Sequence, residues 1–158
     1  PTRPPPILSG LVGSEMCIRD RVMTTIDTHV DEFLRQTLVA VISTVDKSGR
    51  PRSAPIWFHW EDATAYMFTD RSTLKWRNIQ RHPYASLCVD WREPPYKSII
   101  LDGPIEEVER PLYELALSMA LRYYGEEQGA KFAEDYKDQS KNVAVFRLVP
   151  ERVANYLE

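Results

Sequence analysis

The run Val39-Ala40-Val41-Ile42-Ser43-Thr44-Val45, closed by Asp46-Lys47-Ser48-Gly49, limits what this chain can become more than any other stretch. Side chains branched at Cβ are stiff at χ1 and fit a pleated strand better than a helix. A turn ending in Gly supplies the backbone freedom a hairpin needs. The return strand is read from Arg52 to Trp60, and Glu61-Asp62-Ala63 turns into a further strand, Thr64 to Thr69. Ala85 to Asp90 is another strand and Arg92-Glu93-Pro94-Pro95 a loop. Tyr96 to Val108 is a long strand, expected to bend at Gly103-Pro104.

Helices are predicted only at the corners of this strand system. Thr24-Thr25-Ile26-Asp27 supplies N-cap residues, and Val30, Phe33, Leu34 and Leu38 recur at helical spacing. Pro111 opens a helix with the apolar stripe Leu112, Leu115, Ala116, Met119, Ala120 and Tyr123; Gly125 stops it, and Glu126 to Tyr136 follows as a more polar helix. Asn142 to Leu148 is the final core strand, with Pro150 and a short extended tail after it. About six strands with closely spaced turns predict a mainly β protein, a small antiparallel barrel with flanking helices.

The opening segment reads differently. Pro-Thr-Arg-Pro-Pro-Pro does not start a helix cleanly, and the apolar run Ile7 to Gly13 is too short to span a membrane. Gly13 to Arg21 resembles a translated sequencing adaptor. Residues 1–22 are therefore expected to be a non-native or disordered tail, with Met23 the native start of a single domain, 23–158.

With 20 Lys and Arg against 23 Asp and Glu, the chain lacks the basic footprint of a nucleic-acid binder. Cys17 and Cys88 make no disulfide framework or zinc-site spacing, so no metal is expected and a reducing cytoplasm fits.

The chemistry gathers at Thr69-Asp70-Arg71-Ser72-Thr73-Leu74-Lys75, where a strand gives way to a helix capped by Ser72 or Thr73. A helix N-terminus offers unpaired N–H groups and partial positive charge, an anion site when a cation stands one turn in. Spacing alone favours a solvated basic face, and Arg77 and Arg81 lie on another side. The position directly after a strand points instead to a phosphate at Lys75.

The order of these motifs resembles the pyridoxamine 5'-phosphate oxidase-like split β-barrel flavoproteins, closest to the branch that binds FMN or the deazaflavin coenzyme, factor 420. The residues carrying the resemblance are Val39 to Thr44, Gly49-Arg50-Pro51, Arg52 to Phe58, Phe68-Thr69, Lys75-Trp76-Arg77-Asn78-Ile79 and His82-Pro83-Tyr84-Ala85-Ser86-Leu87. It implies an FMN-binding type of split barrel, with Lys75 on the cofactor phosphate and Thr73, Ser72 and Asn78 beside it. Thr69 would lie near the flavin or its ribityl chain, and Pro55, Ile56 and Trp57 along the ring edge. Arg52 either reaches the phosphate or flavin, or points to solvent by strand alternation.

Leu74 departs from the family pattern, because the oxidases proper carry arginine there. Glu151 to Glu158 lacks the Arg-x-His that grips vitamin substrates in those enzymes, which argues against vitamin oxidation. The resemblance thus implies a cytoplasmic homodimer with its cofactor cleft between subunits. Its expected chemistry is hydride transfer to or from a small unsaturated or quinone-like molecule. The alternatives are a non-catalytic flavin-binding or sensing module and, behind it, a pyridoxamine phosphate oxidase-type enzyme. No catalytic side chain stands out. His59 is a candidate by type, whereas His29 and His82 read as structural, and Glu106-Glu107 and Glu126-Glu127 as solvated faces. Trp57, Phe58, Trp60 and Trp91 could line a flat slot, but ordinary core packing is the better reading for any one of them; Trp57 is the exception through its place in the motif.

Overall fold

Asp20–Arg21 and residues 26–158 are described by a computed structural model of the chain. The hairpin that dominates the sequence forms as β2 (Ala40–Val45) and β3 (Pro51–Ile56), in register from Val45↔Pro51 to Ala40↔Ile56, with Gly49 at φ 80° in the turn. The predicted return strand does not continue to Trp60. It breaks at Trp57-Phe58, and β4 (His59–Glu61) pairs with β5 (Thr64–Asp70) in a different part of the sheet. Alternation of apolar and polar side chains runs through both pieces, so the sequence pattern did not mark the break; the change of partner strand imposes it.

After α2 (Leu74–Arg81) come β6 (Tyr84–Trp91) and β7 (Lys97–Glu107). Two helices follow, α3 (Leu112–Tyr124) and α4 (Glu126–Glu134), then β8 (Val143–Leu148) and β9 (Arg152–Tyr156). The tail expected after Pro150 is therefore an antiparallel strand, pairing with β7 from Ser98↔Tyr156 to Asp102↔Arg152. Asp20–Arg21 forms β1 and pairs in turn with β9. The expected tail otherwise lies outside the described residues. Upstream of the barrel, α1 (Thr28–Leu34) is capped by Asp27, whose side chain accepts from the His29 N–H.

The strands of the described residues join in one nine-stranded antiparallel sheet, along β3-β2-β6-β7-β8-β5-β4 with β9 on β7. The fold is thus the predicted mainly β split barrel. Its seam is β7, which pairs with β9 up to Asp102 and with β8 from Ile105. The bend expected at Gly103-Pro104 is where the partner changes, within one continuous strand. The Val149 carbonyl passes over Gly103, where a Cβ would lie 2.1 Å from its oxygen. Backbone hydrogen bonds from Val149 N to Pro104 O and Glu151 N to Asp102 O hold the crossing on both sides.

Inward faces of both sheet halves supply the core, with Ile42, Phe58, Met67, Leu87, Leu101 and Phe146 buried together. α3 covers the outer face of the β5–β8 half through Leu112, Leu115 and Met119 on Val143 and Val145. Gly103→Ala places its methyl against backbone rather than a movable side chain. It should destabilise the fold by about 3 kcal/mol, at the upper end for overpacking, lowering the urea midpoint at unchanged slope; a shift within about 0.5 kcal/mol would refute the crossing as the seam's constraint.

Candidate functional site

Thr73 is the cap of α2. Its Oγ1 accepts the Trp76 N–H at 3.3 Å, donates to the Asp70 carbonyl at 2.9 Å and lies 3.2 Å from Thr69 Oγ1, so the two threonine hydroxyls stand side by side. The N–H groups of Leu74 and Lys75 occupy the first helical positions, where the helix itself offers no acceptor. Ser72 turns away from this group. Both its N–H, at 2.8 Å, and its hydroxyl, at 2.6 Å, donate to Asp70 Oδ1, and these bonds hold the Asp70 carboxyl below the usual carboxylate range.

Lys75 is half-buried, and loss of solvent pushes its pKa down. Among the described residues it has no ion pair or side-chain hydrogen bond. Two other candidate cations are committed elsewhere: Arg71 pairs with Glu107, and Arg52 Nε lies 3.0 Å from Asp46 Oδ2. A desolvated ammonium without a counter-charge, on the first turn of a helix whose leading N–H groups are free, is an incomplete arrangement that an anion would complete. The buried Trp76 indole N–H has no acceptor among the described residues, its ring packing on Phe146 in the core. The Lys75 ammonium and the leading N–H groups of α2 fit a phosphate.

The structure therefore brings Thr69, Thr73 and Lys75 together at the β5–α2 junction, with Ser72 adjacent but tied to Asp70. Arg52, Pro55 and Ile56 lie on β3, the terminal strand of the sheet, so one backbone edge there has no strand partner among the described residues. Pro55 is exposed whereas Ile56 packs in the core, as neighbours on a strand must. Trp57 lies just beyond β3, its ring stacked on Tyr123 with centroids 4.6 Å apart and planes 1° from parallel. Tyr124 and Phe132 border the same ring, an aromatic group the sequence reading missed because three of its four members come from α3 and α4. Asn78 is fully buried and its Nδ2 donates to Thr44 Oγ1 at 3.1 Å.

His59 sits on β4 with Nε2 3.6 Å from Glu61 Oε1 and a buried Nδ1 that has no partner among the described residues. Burial, then the nearby Arg110 guanidinium, lower its pKa; Glu61 opposes them, but Glu61 is itself bonded to Arg110 at 2.8 Å. The neutral imidazole is the form this environment favours. No group of three or more acidic, Cys or His side chains among the described residues is placed to hold a metal ion. Among the described residues no helix is long and apolar enough to cross a membrane.

The profile of the family described as pyridoxamine 5'-phosphate oxidase matches residues 26–156. A pyridoxine/pyridoxamine 5'-phosphate oxidase of Myxococcus xanthus (strain DK1622) is 33% identical over 69 residues, 43% of this chain and 33% of that protein. The matched segment thus spans about a third of the curated relative's length. A conserved hypothetical protein of Mycobacterium tuberculosis shares the fold at a TM-score of 0.70, with 18% identity, over 85% of this chain and 86% of that one. An F420 reductase does so at 0.65, with 20% identity, over 81% and 98%. The chain belongs to the pyridoxamine 5'-phosphate oxidase family.

Because His59 is held neutral in the fold, the unfolded chain binds its proton more readily, at the ordinary value of 6.5. Its contribution to stability is present above that pH and is lost as pH falls below it, toward the depressed native value. Urea midpoints of the wild type and His59→Gln measured from pH 7.5 to 5 should show a shallower acid-side decline in the variant; parallel declines would rule this out.

Proposed function

We propose that this family member binds a phosphate-bearing flavin, FMN or the deazaflavin coenzyme factor 420. With it the protein acts as an oxidoreductase that transfers hydride to or from a small unsaturated or quinone-like molecule. The observation that carries this reading is Lys75, a half-buried cation with no anionic partner among the described residues. Its place in the first turn of α2, beside helix N–H groups that have no acceptor in the helix, supplies a dianion with charge-assisted and neutral donors together.

In this reading Lys75, Thr73 and the first N–H groups of α2 hold the phosphate, and Thr69 meets the adjoining ribityl chain. Arg52 joins only by giving up Asp46, and the Ser72 and Thr73 hydroxyls donate to the phosphate only by giving up Asp70. The open backbone edge of β3 near Pro55 and Ile56 offers N–H and C=O groups to the ring, and Trp57, backed by Tyr123, closes one side. The bound ring supplies the hydride chemistry. The chain's part is to bind it, orient it and keep water from it.

A second copy completes the cleft. Pro55, Val41, Cys88 and Ile100 lie in one register row across the outward face of β3, β2, β6 and β7, bordered by the small residues Ser53, Ser43 and Ser86. A groove of about 450 Å³ with Val39, Val41, Pro55 and Trp91 in its lining adjoins that row. Two such flat faces suit an isologous dimer, with Pro55 shared between the interface and the ring edge. Light scattering should therefore give twice the monomer mass.

Protein from a host that makes both coenzymes should carry one of their absorption spectra. Lys75→Ala should weaken FMN, or factor 420, by about 1.5–3 kcal/mol, as for a lost hydrogen bond to a charged group. Riboflavin, which lacks the phosphate, should be little affected. Equal affinity of wild type and variant for the phosphorylated ligand would reject Lys75 as its contact, and a protein that binds neither coenzyme would reject the reading.

A further inference from the structure

We propose that Asn78 positions this site without touching its ligand: the buried Asn78–Thr44 hydrogen bond sets the distance between the phosphate-binding turn of α2 and the ring-binding strand β3. This rests on the reading of the β5–α2 junction as a phosphate site.

Asn78 has no exposed surface, and Thr44 is 3% exposed. Both halves of the amide are engaged, Nδ2 donating to Thr44 Oγ1 at 3.1 Å and Oδ1 accepting from Arg81 at 3.4 Å. Burial of an amide that serves no purpose is unfavourable against an apolar side chain of similar size. What the amide adds is direction. The other buried side chains of α2, Trp76 and Ile79, pack by non-directional contact, which fixes depth better than it fixes sliding or rotation. One residue of slip moves a helix about 1.5 Å along its axis and turns it by a fraction of a turn. A hydrogen bond in a low-dielectric interior has one geometry and resists that slip.

Two further placements give this bond a function. Lys75 and Asn78 are three residues apart, so they share one face of α2, and fixing the second fixes the direction of the first. Thr44 in turn lies opposite Arg52 on β3, three residues before Pro55. The chain Lys75–α2–Asn78–Thr44–β3 thus runs from one end of the site to the other, although α2 follows a strand of the other half of the sheet. A ligand with an anionic end and a planar end needs that span held constant.

The test uses full-length protein, with FMN and riboflavin as probes, or factor 420 and its phosphate-free deazaflavin core where the flavins do not bind. The double variant Asn78→Leu/Thr44→Val replaces a satisfied polar pair by an apolar one, an exchange that is often nearly neutral for stability. Its thermal transition should stay within a few degrees of wild type. Riboflavin affinity should hold within about twofold while FMN affinity falls about tenfold, the size of one charged hydrogen bond lost through misplacement. If the double variant does not fold, the near-isosteric Thr44→Val alone is read in the same way. A folded variant that keeps the wild-type preference for the phosphorylated ligand overturns the proposal, as does equal loss of both ligands, which marks Asn78 as merely structural. A wild type with no such preference overturns the phosphate reading itself, a result visible before any variant is made.

Discussion

At Gly103 the Val149 carbonyl comes so close to the chain that no Cβ would fit, and this contact lets one strand serve two sheet halves. Before it, β7 is hydrogen-bonded to β9; after it, to β8. A sheet that stayed flat could not place β5 and β3 on the same body, since they would sit far apart along the strand order. The partner change folds the sheet on itself, and Trp57-Phe58 links β3 to β4, the two ends of the strand order. Both are backbone events. One needs a missing side chain, the other two aromatic residues, with Phe58 fully buried in the core and Trp57 against the covering helices.

The candidate site takes its two halves from the two sides of that seam. β5 delivers Thr69 and the capping turn from one half of the sheet, while β3 belongs to the other. α2 starts from the first and packs on β2 and β3 of the second. A short helix with a buried polar anchor is stiffer in this role than a loop, because its span is set by hydrogen bonds along its own axis. The site is therefore a property of the split topology rather than of any single motif.

Much of this was legible in the sequence, and the exceptions share a cause. β2, β5, β6 and the start of α2 are written in local signals: β-branched runs, turn residues, a threonine before a helix. The break between β3 and β4 is not, because Ser53 to Trp60 alternates as a single strand would and only the identity of the partner strand divides it. β9 was missed because Arg152 to Tyr156 has no clean period of two: Val153 and Ala154, on opposite faces of the strand, are both buried. Asn78 read as one polar residue in a polar helix, and nothing local distinguishes a side chain that meets Thr44, 34 residues away in sequence, from one in solvent. The availability of Lys75 was equally invisible. It depends on Glu107 and Asp46, from distant or turn positions, taking Arg71 and Arg52.

That last dependence decides how an anion would be bound. Recruiting Arg71 or Arg52 means breaking an ion pair, and what the new contact gains is offset by the carboxylate left behind. Lys75 has no such partner to lose, and its burial already disfavours the charged form in the free protein. An anion that arrives there relieves a penalty that exists without it, so its interaction with Lys75 counts nearly in full toward binding. The Asp70 and Glu107 carboxylates near the turn work in the opposite sense, and Ser72 and Arg71 hold them in fixed directions. With attraction concentrated on one desolvated cation and repulsion kept at its border, the turn selects by position as well as by charge. Only an anion that reaches the α2 N-terminus gains from it.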